Sequence, residues 1–287
     1  MASSSCFTQK PPSKWLRKIT RVTASLAIAV ATFQSLAAVL PGTLGLRFLL
    51  ARHGQTTFNA AKRFQGSMNE EPVLTEKGVA QARELGDWLS RGLRPDETSA
   101  DRQIGSLFVS PLRRARQTLD VARKVASEVL PAEAAVLPEL REIDLYEWEG
   151  RTQAEVNADS PELFRLWKTA AWELRLGGGR PVVLDLWERA ASAWGLMRQA
   201  ASASNREAPS LVVAHGTLGK ALLGTALGLP AQAFRHFTLQ NGEVVEVAWP
   251  ETGSDQGALW RRRHPETGPW RSLLDEQAAM RGASEVP

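Results

Sequence analysis

Two short segments of the sequence end in the same pair of residues. Residues 49–54 read LLARHG and residues 211–216 read LVVAHG, so each apolar run delivers a His-Gly pair. A neutral imidazole, with a reference pKa of about 6.5, is a competent nucleophile or proton carrier near pH 7. One histidine in such a place is more often a packed core residue, but two of the four histidines in the chain share this pattern. His53 and His215 are therefore candidates for chemistry.

Two groups of arginine residues suggest what these histidines act on. Arg52 directly precedes His53, and SPLRRARQT at 110–118 places a dense basic turn at the start of a helix. The free N–H groups of a helix amino-terminus and the forked guanidinium group both bind phosphate oxygens. Arg113 and Arg116 also suit a solvated helix face, so we expect Arg114 to be the arginine that joins Arg52 at a phosphate site.

The segment LREIDLYEWEG at 140–150 supplies closely spaced carboxylic acids, namely Glu142, Asp144, Glu147 and Glu149. A carboxylic acid beside a phosphate ester can protonate the leaving oxygen and then, as a carboxylate, activate water. We expect one of the four to have this role and most of the others to be surface charges.

The sequence has no pattern typical of a metal site or a nucleotide-binding loop. The single cysteine is Cys6, and no histidine and carboxylate residues cluster with metal-ligand spacing. HGTLGK at 215–220 lacks the glycine spacing of a P-loop and the hydroxyl residue that should follow Lys220. We expect no metal and no cofactor.

Short apolar runs alternate with longer amphipathic stretches from Leu44 onward. This alternation predicts an α/β fold, a three-layer α/β/α sandwich with a mainly parallel, doubly wound sheet. Ligands of such sheets bind at the carboxyl ends of the strands, where residues that follow different strands meet. The predicted strands are 46–51, 104–109, 135–137, 211–214 and 243–249. The predicted helices are 76–92, 112–130, 161–172, 183–202 and 217–228.

The two ends of the chain differ from its middle in composition. Residues 1–42 hold five of the 35 bases and none of the 31 acids, which leaves 30 bases against 31 acids and argues against nucleic acid as a partner. The basic, hydroxyl-rich start predicts a removable targeting segment, a chloroplast transit peptide, with a secretory or lumenal signal or a membrane anchor as alternatives. After its removal no stable membrane association is expected. We expect 43–264 to be the main domain and 265–287 a loosely ordered tail.

Five segments in this order resemble the histidine phosphatase superfamily, in its phosphoglycerate-mutase-like branch. They are RHGQT with Asn59, FQGSMNEEPVLTEKG, SPLRRARQT, LREIDLYEWEG and VVAHG, and together they span about residues 46–249. The resemblance implies that His53 becomes a phosphohistidine and that Glu142 is the general acid and base. It implies further that Arg52, Arg114 and His215 surround the phosphoryl oxygens, without a metal ion.

The resemblance also bears on the reaction. True phosphoglycerate mutases carry Glu-Arg-His-Tyr-Gly and an arginine-rich insertion, whereas this chain has EIDLY at 142–146 and a short stretch after it. EIDLY, RPVVLDLWERAASAW and FRHFTLQNGEV are similar to phosphatases of a phosphorylated sugar acid. A small sugar phosphate or sugar-acid phosphate is the implied substrate. A phosphoglycerate mutase, a protein or phosphopeptide phosphatase and a non-catalytic phosphate-binding protein are the alternatives.

Four further residues are expected to contact the substrate. Asn59 and Gly216 lie within the histidine motifs, Arg63 follows the first of them, and Arg180 ends the LGGGR segment at 176–180. Each arginine could bind a carboxylate or a second phosphate, and a solvated loop charge is the alternative for both. The sequence does not predict an oligomeric state.

Overall fold

The computed structural model describes residues 44–67, 72–92, 103–204, 207–250 and 257–284. The expected targeting segment, 1–42, lies outside these residues. The chain from Leu44 onward forms one compact unit. Within the described residues, no helix has the length and apolar character needed to cross a membrane.

A six-stranded mixed sheet forms the middle layer, in the order β3-β2-β4-β1-β5-β6. The first four strands of that order are parallel, and β5 and β6 pair antiparallel at the other edge. Four of the six strands therefore follow the predicted parallel arrangement. The strands are β1 Leu44–Arg52, β2 Ser106–Val109, β3 Ala135–Val136, β4 Ser210–Ala214, β5 Val244–Pro250 and β6 Leu259–His264.

Side chains of β1 alternate between two apolar clusters. Phe48 and Leu50 pack in the larger cluster, whereas Leu49 and Ala51 pack in the smaller one on the other face of the sheet. A strand that is buried on both faces needs an unbroken apolar run, which is why this segment does not alternate with polar residues.

Helices cover both faces of the sheet, as predicted. Helices α2 and α3 contribute to the smaller cluster, and α6 and α7 contribute to the larger one. The three-layer prediction is confirmed. The helices are α1 Thr57–Ala60, α2 Glu76–Ser90, α3 Arg113–Val125, α4 Gln153–Asp159, α5 Pro161–Thr169, α6 Val182–Ser202, α7 Gly216–Ala226 and α8 Leu273–Ser284. Short 3₁₀ helices cover Pro138–Leu140, Tyr146–Trp148, Ala171–Glu173 and Ala231–Arg235.

Several element boundaries differ from the sequence predictions. Helix α3 ends at Val125 rather than at 130, and it starts at Arg113, after Ser110 and Pro111. The Ser110 hydroxyl accepts the N–H of Leu112 at 3.2 Å and so shapes the turn before the helix. Helices α1 and α4 are too short to produce a readable apolar period, and β6 carries three arginines that hide its strand character.

The expectation of a loosely ordered tail is wrong for its helical part. Helix α8 places Glu276 at 1 % exposure, where its carboxylate accepts the indole N–H of Trp260 at 3.0 Å and pairs with Arg271 at 2.6 Å. His236 contacts the same carboxylate. A polar segment is thus tied to the sheet by one buried acid whose partners lie elsewhere in the chain.

Candidate active site

Strand β1 delivers His53 to the carboxyl edge of the sheet. The N–H of Arg52 donates to the carbonyl oxygen of Glu243 at 3.0 Å. The N–H of His53 donates to that of Ala214, also at 3.0 Å. These bonds hold the end of β1 between its neighbours, and the His53 side chain is buried there at 2 % exposure.

The hydrogen bonds of His53 define which nitrogen can react. Its Nδ1 lies 2.8 Å from the carbonyl oxygen of Gly54. Because a carbonyl only accepts, Nδ1 carries the hydrogen and Nε2 keeps its lone pair. Burial lowers the pKa of His53 well below its ordinary value of about 6.5, and the charges of Arg114 and Arg52 lower it further. The ring is neutral near pH 7, with Nε2 as the nucleophilic atom.

Glycine at position 54 allows helix α2 to approach the loop that carries His53. A Cβ at Gly54 would lie 2.2 Å from the carbonyl oxygen of Gly78. The N–H of Gly54 donates to the Thr118 hydroxyl at 3.0 Å. The backbone around the nucleophile is therefore fixed from two helices.

His215 faces His53 with ring centroids 5.2 Å apart. Arg114 Nε donates to His215 Nδ1 at 3.2 Å, so the hydrogen of the neutral ring is on Nε2, which donates to Ser110 Oγ at 2.7 Å. Burial lowers the pKa of His215 well below its ordinary value, and Arg114 adds to the effect. The structure thus brings the two predicted histidines together, and it adds Ser110, which the sequence indicated only as a helix start.

Two guanidinium groups flank the histidine pair. Arg114 Nη2 donates to the carbonyl oxygen of Gly66 at 2.9 Å, and Arg52 Nη1 donates to that of Leu239 at 2.6 Å. Arg52 Nε is buried and lacks a hydrogen-bond partner within the described part of the chain. A Cβ at Gly216 would lie 2.8 Å from Arg52 Cζ, so glycine there makes room for the guanidinium group. A buried donor without a partner suits a pocket that receives an anion.

Glu142 lies against the amino-terminus of helix α7. Its Oε1 accepts the N–H of Leu218 at 2.8 Å and that of Ile143 at 2.9 Å, and its Oε2 accepts the N–H of Thr217 at 3.0 Å. The helix that follows His215 therefore also positions the predicted acid. We refer to one group of side chains as the inner pocket: Arg52, His53, Arg114, Glu142 and His215.

Two residues that sequence reasoning missed hold this pocket in place. Arg189 of helix α6 donates to the carbonyl oxygens of Glu142 at 2.9 Å and Glu139 at 3.3 Å, and it also contacts that of Arg141. Asn241 Nδ2 donates to the carbonyl oxygen of His53 at 3.0 Å. The available signal for Arg189 was a charge on the apolar face of a predicted helix, whereas Asn241 had none.

The predicted substrate contacts fall in different places. Asn59 Oδ1 accepts from Asn241 at 3.1 Å, so it supports the His53 loop through that residue. Arg63 is exposed, donating to the Gly150 carbonyl oxygen at 2.6 Å. Arg180 is exposed and pairs with Leu176 through its backbone. The described contacts therefore join Asn59, but neither arginine side chain, to the inner pocket.

The acidic segment contains a buried residue that was expected at the surface. Glu149 is 9 % exposed, and its Oε1 accepts the N–H groups of Ser67 at 3.0 Å and Leu145 at 3.2 Å. Asp144 accepts a hydrogen bond from the Ser67 hydroxyl. Both carboxylates thus fasten the loop of Gly66, the acceptor of Arg114, onto the segment that carries Glu142. Surface placement is wrong for Glu149.

The model of the histidine phosphatase superfamily, branch 1, matches residues 48–259. The chain belongs to this superfamily. The matched residues contain the whole inner pocket. Among the described residues, no three His, Cys, Asp or Glu side chains are grouped as a metal site.

Two plant proteins are similar to the chain. The 2-carboxy-D-arabinitol-1-phosphatase of Triticum aestivum is 32 % identical over 245 residues, which cover 83 % of this chain and 44 % of that protein. The "Probable 2-carboxy-D-arabinitol-1-phosphatase" of Arabidopsis thaliana is 34 % identical over 196 residues, 68 % of this chain and 36 % of that protein. The chain thus spans less than half the length of these relatives.

A solved structure covers a comparable domain. The native mycobacterial glucosyl-3-phosphoglycerate phosphatase superposes with a TM-score of 0.60 at 26 % identity, over 76 % of this chain and 97 % of that one. The superposition extends over nearly all of a histidine phosphatase, in agreement with the predicted fold.

Proposed function

We propose that the protein hydrolyses a small phosphate monoester, a sugar phosphate or sugar-acid phosphate, through a phosphohistidine at His53. The observation that carries the proposal is the state of that ring: neutral, with Nδ1 hydrogen-bonded to Gly54 and the lone pair on Nε2. Arg52 and Arg114 supply the positive charge that transfer of a phosphoryl group requires.

The reaction takes place in two displacements. His53 Nε2 attacks phosphorus, the bond from phosphorus to the ester oxygen breaks, and the leaving oxygen takes a proton from the Glu142 carboxyl group. The Glu142 carboxylate then accepts a proton from water, whose oxygen attacks phosphorus as the P–N bond breaks. Inorganic phosphate leaves, and His53 and the protonated Glu142 are restored. Arg52 and Arg114 bind the phosphoryl oxygens in both steps, and His215 contacts them as a neutral donor.

The substrate class rests on the relatives. The plant proteins are named for 2-carboxy-D-arabinitol 1-phosphate and the mycobacterial one for glucosyl-3-phosphoglycerate, all small phosphate esters that bear an acid group. EIDLY at 142–146, in place of the mutase sequence, favours hydrolysis over return of the phosphate to the substrate.

The test is phosphate release by the full-length chain without added metal. The panel contains 2-carboxyarabinitol 1-phosphate, 3-phosphoglycerate, sugar phosphates, an aryl phosphate and a phosphopeptide. We expect the small esters to be hydrolysed and Glu142→Gln to slow turnover by about 10²–10⁴-fold and accumulate phosphoenzyme. Interconversion of phosphoglycerates without net phosphate release would identify a mutase, and turnover of the phosphopeptide alone would identify a protein phosphatase. Phosphate binding without turnover would identify a non-catalytic protein.

The remaining proposals concern the ends of the chain. We propose that residues 1–42 direct the protein to the chloroplast and are removed, leaving the phosphatase domain at 43–264 with α8 attached. The acid-free, basic composition of the segment and its plant relatives support this proposal. A fluorescent fusion of residues 1–60 is expected to enter plastids, and secretion or membrane retention would refute it.

A further inference from the structure

A second group of cations lies beside the inner pocket. Lys220 is in helix α7, and its Nζ lies 5.1 Å from the ring centroid of Phe234. The neighbouring Arg235 stacks on Trp167, with its Cζ 5.6 Å from that ring centroid, and contacts the Trp167 carbonyl oxygen. We refer to Lys220, Phe234, Arg235 and Trp167 as the outer cluster.

The helix geometry turns Lys220 toward the inner pocket. Residues four apart share one helix face, so Lys220 lies on the face of Gly216, against which Arg52 packs. The two positions are separated by about 6 Å along the axis, at about 1.5 Å per residue. Long side chains of a helix point back toward its amino-terminus, which for Lys220 is the end that holds Glu142.

The charges around Lys220 do not balance. Within the described residues, Lys220 makes no hydrogen bond or ion pair, and the charges acting on it are Arg235, Arg52 and Glu142. Burial lowers the pKa of Lys220 to about 8, and Arg235 lowers it further. Three cations therefore surround one carboxylate, and Glu142 already accepts three N–H groups. A partly buried amine without an anionic partner, next to a reaction centre, marks a binding site for an anion.

We propose that Lys220, supported by Arg235, binds a second acid group of the substrate, a carboxylate a few bonds from the phosphate ester. The proposal rests on the phosphatase function above and specifies which esters that site prefers. The Lys220 ammonium group donates to the carboxylate oxygens, while Phe234 and Trp167 provide an apolar wall that displaces water from the pair.

The test uses two ligands that differ in one group. 3-Phosphoglycerate carries a carboxylate where glycerol 3-phosphate carries a hydroxymethyl group. For the full-length chain we expect a lower KM for the acid. Lys220→Met should raise the ratio of the two KM values by about tenfold, the typical loss for a charged hydrogen bond, and Lys220→Arg should restore most of it. Lys77→Met, at an exposed position of α2, is the control and should leave the ratio unchanged.

The acidity of Lys220 gives a second reading of the same pair. Because the lysine loses its proton as the pH rises through about 8, the KM ratio of the unsubstituted chain should rise between pH 7 and 9. In Lys220→Arg it should stay level, since arginine keeps its charge. The groups that face Lys220 are Arg235, Arg52 and Glu142, so the arginine variant separates its titration from theirs.

Each outcome decides between the proposals. A KM ratio that is the same in Lys220→Met and in the unsubstituted chain would overturn the carboxylate site. A selective loss for fructose 1,6-bisphosphate against fructose 6-phosphate, with no change for the glycerate pair, would also overturn it and assign a second phosphate. If no ester is hydrolysed, the phosphatase proposal fails by itself. Calorimetric titration with 3-phosphoglycerate then still shows whether Lys220→Met weakens binding.

Discussion

The inner pocket and the outer cluster meet at helix α7, yet they are held in different ways. Each side chain of the inner pocket makes a hydrogen bond to backbone or to another member of the pocket, and four of the five are less than 6 % exposed. In the outer cluster, Arg235 is exposed and Lys220 partly so, and their aromatic contacts are less directional. Bonds to strand ends fix the reacting groups to the sheet, whereas the outer groups lie on helices and can vary without moving it.

The largest effect is expected at the nucleophile. His53→Ala should lower kcat by on the order of 10⁴-fold or more for each ester tested, because the covalent step is lost. Phosphate release and trapping of phosphoprotein measure it. His264→Gln, a histidine of β6 outside the site, is the control. Near-normal turnover in His53→Ala would remove the chemical basis of the inner pocket.

Arg114 and Arg116 provide the next test, because they share a helix but differ in burial. Arg114→Ala should lower kcat by about 10²–10³-fold, the usual loss for one donor to the developing charge, and should weaken inhibition by vanadate. Arg116→Ala should change neither, since that side chain is exposed. Equal effects of both variants would mean that general positive charge, rather than the buried contact, serves the reaction.

The buried histidines predict a pH dependence of stability that exposed groups do not share. Their pKa values are lowered on folding, so below about 6.5 the unfolded chain binds more protons and the free energy of unfolding falls. Each unit of lowering contributes about 1.4 kcal/mol once both states are protonated. Chemical unfolding between pH 7 and 5 should therefore show a smaller loss in His215→Asn. An unchanged slope would contradict the neutral buried state of His215.

The smallest effect is expected at the rim of the outer cluster. With 3-phosphoglycerate as the substrate, Arg235→Gln should raise KM about threefold, because an exposed charge is screened by solvent and contributes little. The effect should disappear at high salt, whereas that of Lys220→Met should persist. A loss as large as that of Lys220→Met would show that recognition depends on Arg235 and not on the buried lysine.

The sequence predicted the parts of the fold and site that depend on local pattern. The apolar runs before His53 and His215 predicted central strands, and the rule for the carboxyl edge of a sheet predicted that the two histidines meet. Glu149, by contrast, has the same sequence signature as a surface acid. It is buried because Ser67 and Leu145 present N–H groups to it, and those partners are distant from one another in the chain.

The sequence by itself determined the α/β architecture and the residue types of a phosphohistidine site, since apolar periodicity and strand-end chemistry are local properties. Only the tertiary structure decided which histidine nitrogen is free, which arginine steadies the Glu142 segment and where the tail attaches. It also placed Lys220 among cations without an anion of its own. These outcomes depend on hydrogen bonds and burial between distant segments, which spacing along a chain does not encode.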